Sequence, residues 1–384
     1  MKIALFTPFS PELGGGSAQL RSHFRALSDL DVIWYYLSSK PAAAANPSWK
    51  WLGQPFTFGE LLSDLGARSG LLPGTRARAG RIVEQMQADL FWVVGHYEGL
   101  SVAAEVCDQG KPLHLTVHDD PFGTWNRSTR YRFFQPLLLR TFPRILRRAK
   151  SIDVTSWGMR NLYRQKYGVK CFSLYLHVPQ LPSLDIEVDL ARLTIGHIGT
   201  LYQPEPFRHF LNACKKVAAA EKRSLRVVRI GRSPQWNALL AAEAPDIFQS
   251  YGDLAESDAI PVLASCDLLY AMYPPGRKYE QFRKTSLPIK LSTYVQTQRR
   301  IFVHSPRDSV LARIVAPARV GCVCSTFDER AIERSMREAL NASVSRESFE
   351  LLRQELMGPD QVRQLRAALC RENWHSFPEN DFRT

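Results

Sequence analysis

Short apolar runs alternate with stretches of helical spacing along the first half of the chain. Lys2–Thr7 is an apolar run that ends at a loop of proline and glycine, and Ser17–Asp29 carries apolar residues at helical spacing. Asp31–Leu37 is β-branched and aromatic, so the three segments predict a βαβ unit. The alternation continues with strands predicted at 89–94, 113–118 and 151–155 and helices at 98–108, 127–150 and 156–167. This order predicts a parallel sheet covered on both faces.

The same alternation starts again in the second half, after a segment without periodicity that contains Pro179 and Pro182. Strands are predicted at 193–198, 225–230, 267–272, 301–303 and 320–324, and helices at 206–220, 235–242, 256–264, 288–297 and from 328 onward. We therefore predict an α/β protein with two doubly wound, Rossmann-like domains facing a central cleft. The domains are residues 1–178 and 190–365, and one option for residues 366–384 is a tail that returns to the first domain. Residues 38–80 are an irregular insertion with no predicted place.

The composition fits two soluble globular domains. The chain has 384 residues, of which 45% are apolar and 23% charged, and no apolar run approaches the length of a membrane span. The apolar run at the N-terminus is too short for a signal peptide, and the seven cysteines are odd in number and scattered. We therefore expect a cytoplasmic protein with reduced core thiols.

The positive charge is concentrated in one segment. The net charge is +13, and residues 127–170 contain twelve Lys or Arg against one acid, Asp153. In the first half of this segment, Arg127–Lys150, arginines alternate with aromatic and aliphatic residues. This pattern is typical of a helix lying on an anionic bilayer, but equally of a helix whose apolar stripe packs on its own domain. Nucleic-acid binding is a third interpretation, and no recognition motif supports it.

Two loops after predicted strands contain candidate ligand-binding groups. Pro8–Gly16 ends in three glycines before a helix, and its free backbone N–H groups suit an oxyanion or a sugar hydroxyl. Pro274–Lys290 carries five cations against Glu280 and leads into a helix that Ser286 is predicted to cap, with Lys290 one turn in. Amide donors and an ammonium that converge there would suit a diphosphate. A plain glycine turn and a solvated basic loop are the alternatives.

In order and spacing, several motifs resemble those of the GT-B glycosyltransferases of the group 1 (GT4-like) family, across nearly the whole chain. They are the triple-glycine loop, His118-Asp119, Thr155-Ser156, Asn161-Leu162-Tyr163, Tyr167-Gly168, Ile195 to Leu201, Arg229 to Arg232, Tyr251-Gly252-Asp253, Leu263 to Leu269 and Ser286 to Tyr294.

The resemblance implies a metal-independent, hexosyltransferase-like enzyme with no cofactor. A nucleotide-sugar would bind the C-terminal domain, and a saccharide acceptor the N-terminal domain. His118 would contact the donor sugar, Asp119 or Asp120 would serve as base if the reaction inverts configuration, and Glu12 is a weaker acid or base candidate. The predicted donor-binding residues are Gly15, Gly16, Thr200, Arg232, Arg283, Lys284, Ser286, Lys290 and Thr293.

The acceptor expected from the basic aromatic segment is lipid-linked or a cell-surface glycan precursor. Such an acceptor would place the enzyme peripherally on the inner face of a membrane, with Arg127–Lys150 against anionic lipid. No nucleic-acid partner is expected.

Departures from the family pattern leave other functions open. The loop Thr200–Phe207 lacks the Arg and Lys that usually hold the diphosphate, and Thr285 and Thr293 stand where two glutamates are usual. Lys290, with Arg283, Lys284 or Arg232, is expected to replace the missing cations. The alternatives are a nucleotide-binding subunit without catalysis, an epimerase or phosphorylase on the same fold, and a basic nucleic-acid binder.

Overall fold

The computed structural model of the protein describes residues 1–12, 14–44, 46–57, 72, 74–122, 140–232, 236 and 245–377. These residues form two compact units. The first comprises Met1–His177, Lys284–Ser286 and the described part of Gly358–Asp381, and the second comprises Val178–Arg283 and Leu287–Met357.

The first unit contains a sheet of seven parallel strands in the order β3-β2-β1-β4-β5-β6-β7. Its strands are β1 (Lys2–Thr7), β2 (Asp31–Tyr36), β3 (Trp49–Trp51), β4 (Leu90–Val94), β5 (Leu113–Val117), β6 (Ser151–Val154) and β7 (Phe172–Ser173). Its helices up to His177 are α1 (Gly15–Ala26), α2 (Thr75–Met86), α3 (Glu98–Asp108), α4 (Thr141–Arg148) and α5 (Trp157–Tyr167).

The second unit contains six parallel strands in the order β10-β9-β8-β11-β12-β13. They are β8 (Arg192–Ile198), β9 (Ser224–Ile230), β10 (Phe248–Ser250), β11 (Leu268–Met272), β12 (Arg300–His304) and β13 (Gly321–Cys324). The remaining helices are α6 (Pro204–Ala220), α7 (Glu256–Ala264), α8 (Glu280–Thr285), α9 (Lys290–Thr297), α10 (Val310–Ala318), α11 (Glu329–Asn341), α12 (Arg346–Met357) and α13 (Pro359–Leu369), of which α13 lies in the first unit.

Both faces of the first sheet are buried, as the unbroken apolar strands predict. Successive residues of β1 point to opposite faces because the side-chain period of a strand is two. Ile3 and Leu5 lie in one core cluster with Leu365 of α13, whereas Ala4 and Phe6 lie in the cluster on the other face. The C-terminal helix α13 therefore covers one face of the first sheet.

The strand orders determine where a ligand can approach each sheet. In each unit the strand order reverses beside the first strand of that unit, since β1 lies between β2 and β4, and β8 lies between β9 and β11. Ligands of doubly wound folds bind outside the carboxyl ends of the strands at such a reversal. The loops that follow β1 and β4 in the first unit, and β8 and β11 in the second, therefore lie at the reversals; His118 and Asp119 follow β5, the strand next to β4.

The predicted strands and most predicted helices are confirmed to within a few residues. The helix predicted at 288–297 begins later, at Lys290, because residues 287–289 precede it in a turn closed by the Pro288 carbonyl, which accepts from the amide of Leu291. The helix predicted at 235–242 lies outside the described residues apart from Trp236. The irregular insertion contributes β3 and the start of α2, and residues 58–71 lie outside the described part.

The described part of the basic aromatic segment packs on its own unit. Residues 123–139 lie outside the description, and α4 buries Phe142, Ile145 and Leu146 in the core of the first unit. On its polar side, Arg144 pairs with Asp108 of α3 at 2.7 Å. For α4 the structure favours the interpretation of an amphipathic helix packed on its own domain over insertion of these apolar side chains into a bilayer.

A buried polar network joins β4, β5 and β6. Asp153 Oδ2 accepts from His114 Nε2 at 2.8 Å and from Thr116 Oγ1 at 2.6 Å, and Thr116 Oγ1 accepts from Trp92 Nε1 at 2.7 Å. Asp153 and His114 are fully buried. A buried carboxylate is tolerated only where such donors replace its hydration, so the three strands share one electrostatic constraint.

Asp153→Ala leaves the donors of this network buried without their acceptor. We expect the free energy of unfolding to fall by about 3–5 kcal/mol, measured by urea denaturation followed by circular dichroism. Asp31→Ala, at the exposed start of β2 in the same sheet, is the control and should change stability by no more than about 0.5 kcal/mol. Equal effects of the two variants would show that the network contributes nothing specific.

Candidate functional site

Lys290 is the first residue of α9 and is held without a carboxylate. Its ammonium donates to the carbonyl of Thr200 at 2.9 Å and contacts His197 Nε2 at 3.3 Å. The residue is half-buried, and desolvation of the ammonium lowers the pKa of Lys290 to about 7. Among the described residues no acid forms an ion pair with it, so its charge is balanced only by neutral acceptors.

Two glycines at the ends of β8 and β9 keep the surface beside Lys290 low. Gly199 has φ +78° and Gly231 φ +90°, conformations that side chains rarely adopt. A Cβ on Gly231 would lie 3.4 Å from Gly199 Cα, and a Cβ on Gly199 would lie 4.0 Å from Lys290 Cε. The backbone can therefore be approached closely by a ligand that contacts the ammonium.

The other predicted cations are arranged less favourably for a ligand. Arg283 is buried, and its guanidinium donates to both carboxylate oxygens of Asp308, at 2.7 and 2.8 Å, and to the carbonyl of Gly276. Its charge is thus neutralised within the second unit. Arg232 is exposed beside Asp253 at 3.2 Å, and Lys284 is exposed at the end of α8.

Thr293, one turn further along α9, faces a carboxylate from another helix. Its Oγ1 lies 3.5 Å from Glu256 Oε1, and the same oxygen accepts from Gln296 Nε2 at 3.0 Å. Glu256 is exposed at the start of α7, whereas Thr293 is buried. An acid is therefore present beside Thr293, although the sequence of α9 itself lacks one.

The predicted cap of α9 is wrong. The residue before the helix is Ile289, which makes no side-chain cap, and Lys290 stands at the first position rather than one turn in. Ser286 instead belongs to the first unit, where its hydroxyl donates to Asp119 Oδ1 at 2.8 Å. The first-turn amides of Leu291 and Ser292 are instead bonded to the carbonyls of Pro288 and Ile289.

In the first unit, His118 packs against the first turn of α1. The helix begins at Gly15 after Gly14, which has φ +95° and makes no side-chain cap. A Cβ on Gly16 would lie 2.7 Å from His118 Nδ1, so only glycine allows the imidazole this close. The first-turn amides of α1, which have no partner within a helix, are therefore next to the imidazole.

The imidazole of His118 is neutral at physiological pH. Burial lowers its pKa to about 4, against the smaller opposing effects of Asp153 and Asp119. Its Nε2 atom is buried and makes no hydrogen bond with any residue that the structure describes. A neutral imidazole with an available nitrogen suits a hydroxyl group, which can accept or donate.

The three carboxylates near these loops differ in their environments. Asp119 is half-buried and accepts from Ser286, whereas Asp120 is buried and accepts from Tyr163 OH at 3.0 Å. Glu12 accepts from the backbone amide of Ala44 at 2.7 Å. Asp119 is the best placed of the three to act on a ligand at His118, because it is the adjacent residue and retains exposure.

Two residues of this arrangement had no predicted role. His197 lies in a motif that the sequence singled out, but a histidine within an apolar strand gives no sign of its partner. Glu256 follows Ala255 at the start of a helix, where an acid is common for reasons of the helix dipole. Only the approach of α9 to β8 and α7 reveals what these side chains contact.

The described residues were also searched for metal sites, membrane-spanning helices and disulfide bonds. No group of three or more His, Cys, Asp or Glu side chains in the described ranges could hold a metal ion. No helix among those described is long and apolar enough to cross a bilayer. All seven cysteines are free thiols, and five of them are buried.

The chain was compared with known proteins. No family model matches the sequence, and no curated protein matches it. Among solved structures, sucrose-phosphate synthase from Thermosynechococcus elongatus superposes with a TM-score of 0.66 at 12% identity, over 96% of this chain and 98% of that one. The pneumococcal O-GlcNAc transferase GtfA, solved with UDP and GlcNAc, superposes with a TM-score of 0.66 at 9% identity, over 97% and 99% of the two chains. The lipopolysaccharide outer core galactosyltransferase WaaB gives 0.59 at 11% identity, over 97% and 99%.

These similarities extend over nearly the whole of each chain, and they establish the fold. The protein has the GT-B fold of glycosyltransferases, with two Rossmann-like domains. The fold predicted from the motifs is thus confirmed, whereas the roles of the individual site residues stay predictions.

Gly16→Ala places a methyl group against His118 and should displace the imidazole. We expect a loss of about 1–3 kcal/mol in the free energy of unfolding, as for an overpacked core, together with a shift of the His118 resonances. Gly80→Ala in α2 is the matched control, because a Cβ there meets Glu105 only at 3.8 Å. That change should be neutral or stabilise the protein by up to about 1 kcal/mol, and the same result for Gly16→Ala would contradict the close packing of His118.

Proposed function

We propose that the protein is a glycosyltransferase that moves a sugar from a nucleotide-sugar donor to a saccharide acceptor. The observation that carries the proposal is the Lys290 ammonium, which lies at the start of α9 beside Gly199 with only neutral acceptors around it. A diphosphate would supply the negative charge that this position lacks. The GT-B fold supports the same class of reaction.

The second unit is the proposed donor domain because its groups match the parts of a nucleotide diphosphate. The Lys290 ammonium is a donor for the diphosphate oxygens, and the dipole of α9 adds a partial positive charge at the N-terminus of the helix. Thr293 lies one turn along α9 from Lys290, and Glu256 of α7 lies beside Thr293. Hydroxyl and carboxylate groups of this kind bind the hydroxyls of a ribose. Arg232, being exposed, is a further cation for the phosphates.

The first unit is the proposed acceptor domain and supplies the groups for the transfer. Departure of the diphosphate leaves positive charge at the anomeric carbon, so the enzyme must stabilise both charges as they develop. The neutral His118 is proposed to hydrogen-bond a hydroxyl of the transferred sugar, near the amides of Gly15 and Gly16. Asp119 is proposed to take the proton from the acceptor hydroxyl in an inverting transfer.

The finer predictions rest on the sequence. We propose a cytoplasmic, hexosyltransferase-like enzyme that uses neither a metal nor a cofactor, because the basic groups at Lys290 replace a cation on the diphosphate. We propose a lipid-linked or cell-surface glycan precursor as acceptor. Contact with an anionic membrane is supported by the arginine and aromatic content of residues 127–139 and not by α4, whose apolar face is buried.

One observation favours a second candidate, a nucleotide-binding subunit without catalysis. Arg283 is neutralised by Asp308, and α9 has Thr293 where the family usually has a glutamate. Nucleotide binding by a protein that transfers no sugar to any acceptor, over a panel of donors, would favour this candidate.

Lys290→Met tests the diphosphate site directly. In a thermal-shift panel of UDP, GDP, ADP and dTDP, at least one nucleotide at 100 times its Kd should stabilise the wild type by about 2.7 kcal/mol. Loss of a charged hydrogen bond should weaken that nucleotide roughly 10- to 150-fold in the variant, measured by calorimetry. Lys278→Met removes an exposed lysine from the same basic segment and should leave affinity unchanged. Equal affinity in both variants would remove Lys290 from the donor site.

Asp119→Asn tests the proposed base, because the amide keeps an acceptor for Ser286 but cannot take a proton. We expect kcat for sugar transfer to fall by about 100-fold or more while nucleotide affinity stays within about twofold. A kcat close to that of the wild type would exclude Asp119 as the base. The anomeric configuration of the product would then be measured, because a reaction that retains configuration does not need Asp119 as the base proposed for inversion.

A further inference from the structure

The position of the Lys290 ammonium depends on two acceptors from β8 and the loop after it. One is the carbonyl of Thr200, and the other is the ring nitrogen of His197. His197 lies 93 residues before Lys290 in the sequence and is fully buried in the second unit. A flexible lysine side chain has many rotamers, so a fixed acceptor at this place determines where the charge is presented.

The hydrogen bonds of His197 determine its tautomer. Its Nδ1 lies 3.0 Å from the carbonyl oxygen of Tyr270, which can only accept, so Nδ1 carries the proton. The same carbonyl accepts from Tyr294 OH at 2.8 Å, which fixes it in place. In a neutral ring Nε2 then has a lone pair, and this lone pair accepts a hydrogen bond from the lysine ammonium.

The surroundings keep His197 neutral. Burial, followed by the charge of Lys290, lowers the pKa of His197 well below its ordinary value. The other groups near the pair are the ring of Tyr202, 5.8 Å from the ammonium, the ring of Tyr270, 6.1 Å from that of His197, and the hydroxyl of Tyr294, which accepts from the amide of Ile198. Burial raises the pKa of both Tyr270 and Tyr294, so these two hydroxyls stay neutral between pH 6 and 9, whereas the charge of Lys290 changes in that range.

We propose that His197 is a positioning residue for the diphosphate site, whose neutral Nε2 holds the Lys290 ammonium in place and in its charged form. The proposal rests on the proposed function, since it names the residue on which donor binding through Lys290 depends. The proposal also implies that donor binding depends on the proton that gives Lys290 its charge.

The sign of the pH dependence follows from the charge that the diphosphate needs. The free site loses its ammonium as the pH rises through about 7, and a bound anion raises the pKa of Lys290 because it favours the charged form. Binding above pH 7 therefore takes up a proton, and affinity falls up to about tenfold for each further pH unit. Below about pH 6 the lysine is charged in both states, and this contribution to the pH dependence is absent.

His197→Phe tests the proposal with inorganic pyrophosphate as the probe, titrated by calorimetry from pH 5.5 to 9. Without the acceptor the charged lysine is less stable, so its pKa falls further. We divide the pyrophosphate affinity of the wild type by that of the variant at each pH. This ratio should be larger at pH 8 than at pH 5.5, by about tenfold for each unit by which the substitution lowers the pKa of Lys290. Taking the ratio at each pH removes the titration of pyrophosphate itself. His197→Gln, which can place a carbonyl oxygen at Nε2, should restore the wild-type profile to within about twofold.

His304→Phe is the matched control. His304 is also fully buried in the sheet of the second unit, and it contacts Tyr270 OH at 3.0 Å and the carbonyl of Thr326 at 2.8 Å rather than Lys290. This variant should show no pH-dependent change in the ratio, and circular dichroism of all variants reports their folding.

Direct titration of Lys290 separates this inference from the proposed function. The ε-carbon resonance of Lys290, assigned with Lys290→Met, should titrate near pH 7 in the wild type without ligand and at lower pH in His197→Phe. An unchanged titration, or an affinity ratio independent of pH, would overturn the role of His197 even if nucleotides bind. Wild-type protein that binds neither pyrophosphate nor a nucleoside diphosphate would overturn the proposed function, and the lysine titration would still decide whether His197 stabilises the ammonium.

Discussion

A half-buried ammonium with no counter-ion among the residues that the structure describes is the physical constraint on which the candidate donor site depends. Lys290 is surrounded by a carbonyl, an imidazole nitrogen and an aromatic ring, all of them neutral. Such a group is costly in its charged form, because removal from water is not offset by an opposite charge. An anion that approaches over Gly199 would recover that cost, and this is the physical basis of the proposal that the second unit binds a nucleotide diphosphate.

The two units place different chemistry at the carboxyl ends of their strands. The second unit offers positive potential around Lys290, whereas the first offers the neutral His118, glycine amides and the carboxylate of Asp119. The groups of the first unit suit the hydroxyls of a sugar and the transfer of a proton. The positive potential of the second unit suits phosphate. This difference in chemistry supports the proposed division of roles between the two units.

The departures from the family pattern have a partial structural answer. The carboxylate missing from α9 at Thr293 is present nearby on α7, as Glu256. Arg283, by contrast, is committed to Asp308 and helps to hold the loop between β11 and α8. Two cations of the basic segment therefore have different environments: Arg283 helps to build the loop, whereas Lys290 is held by neutral acceptors.

The sequence by itself determined the order of strands and helices and the two Rossmann-like domains, and it singled out His118 and Lys290 as candidate site residues. These follow from local periodicity and from motifs within short segments, which depend only on neighbouring residues. The partners of Lys290 could not be obtained in this way, since His197 lies 93 residues away and gives the same apolar strand pattern with or without a lysine beside it. Ser286 shows the same limit, because a serine just before a helix indicates a cap, and only the tertiary structure decided that its hydroxyl donates to Asp119 instead. Contacts between distant segments are decided by how sheets and helices pack, and local pattern does not encode that packing.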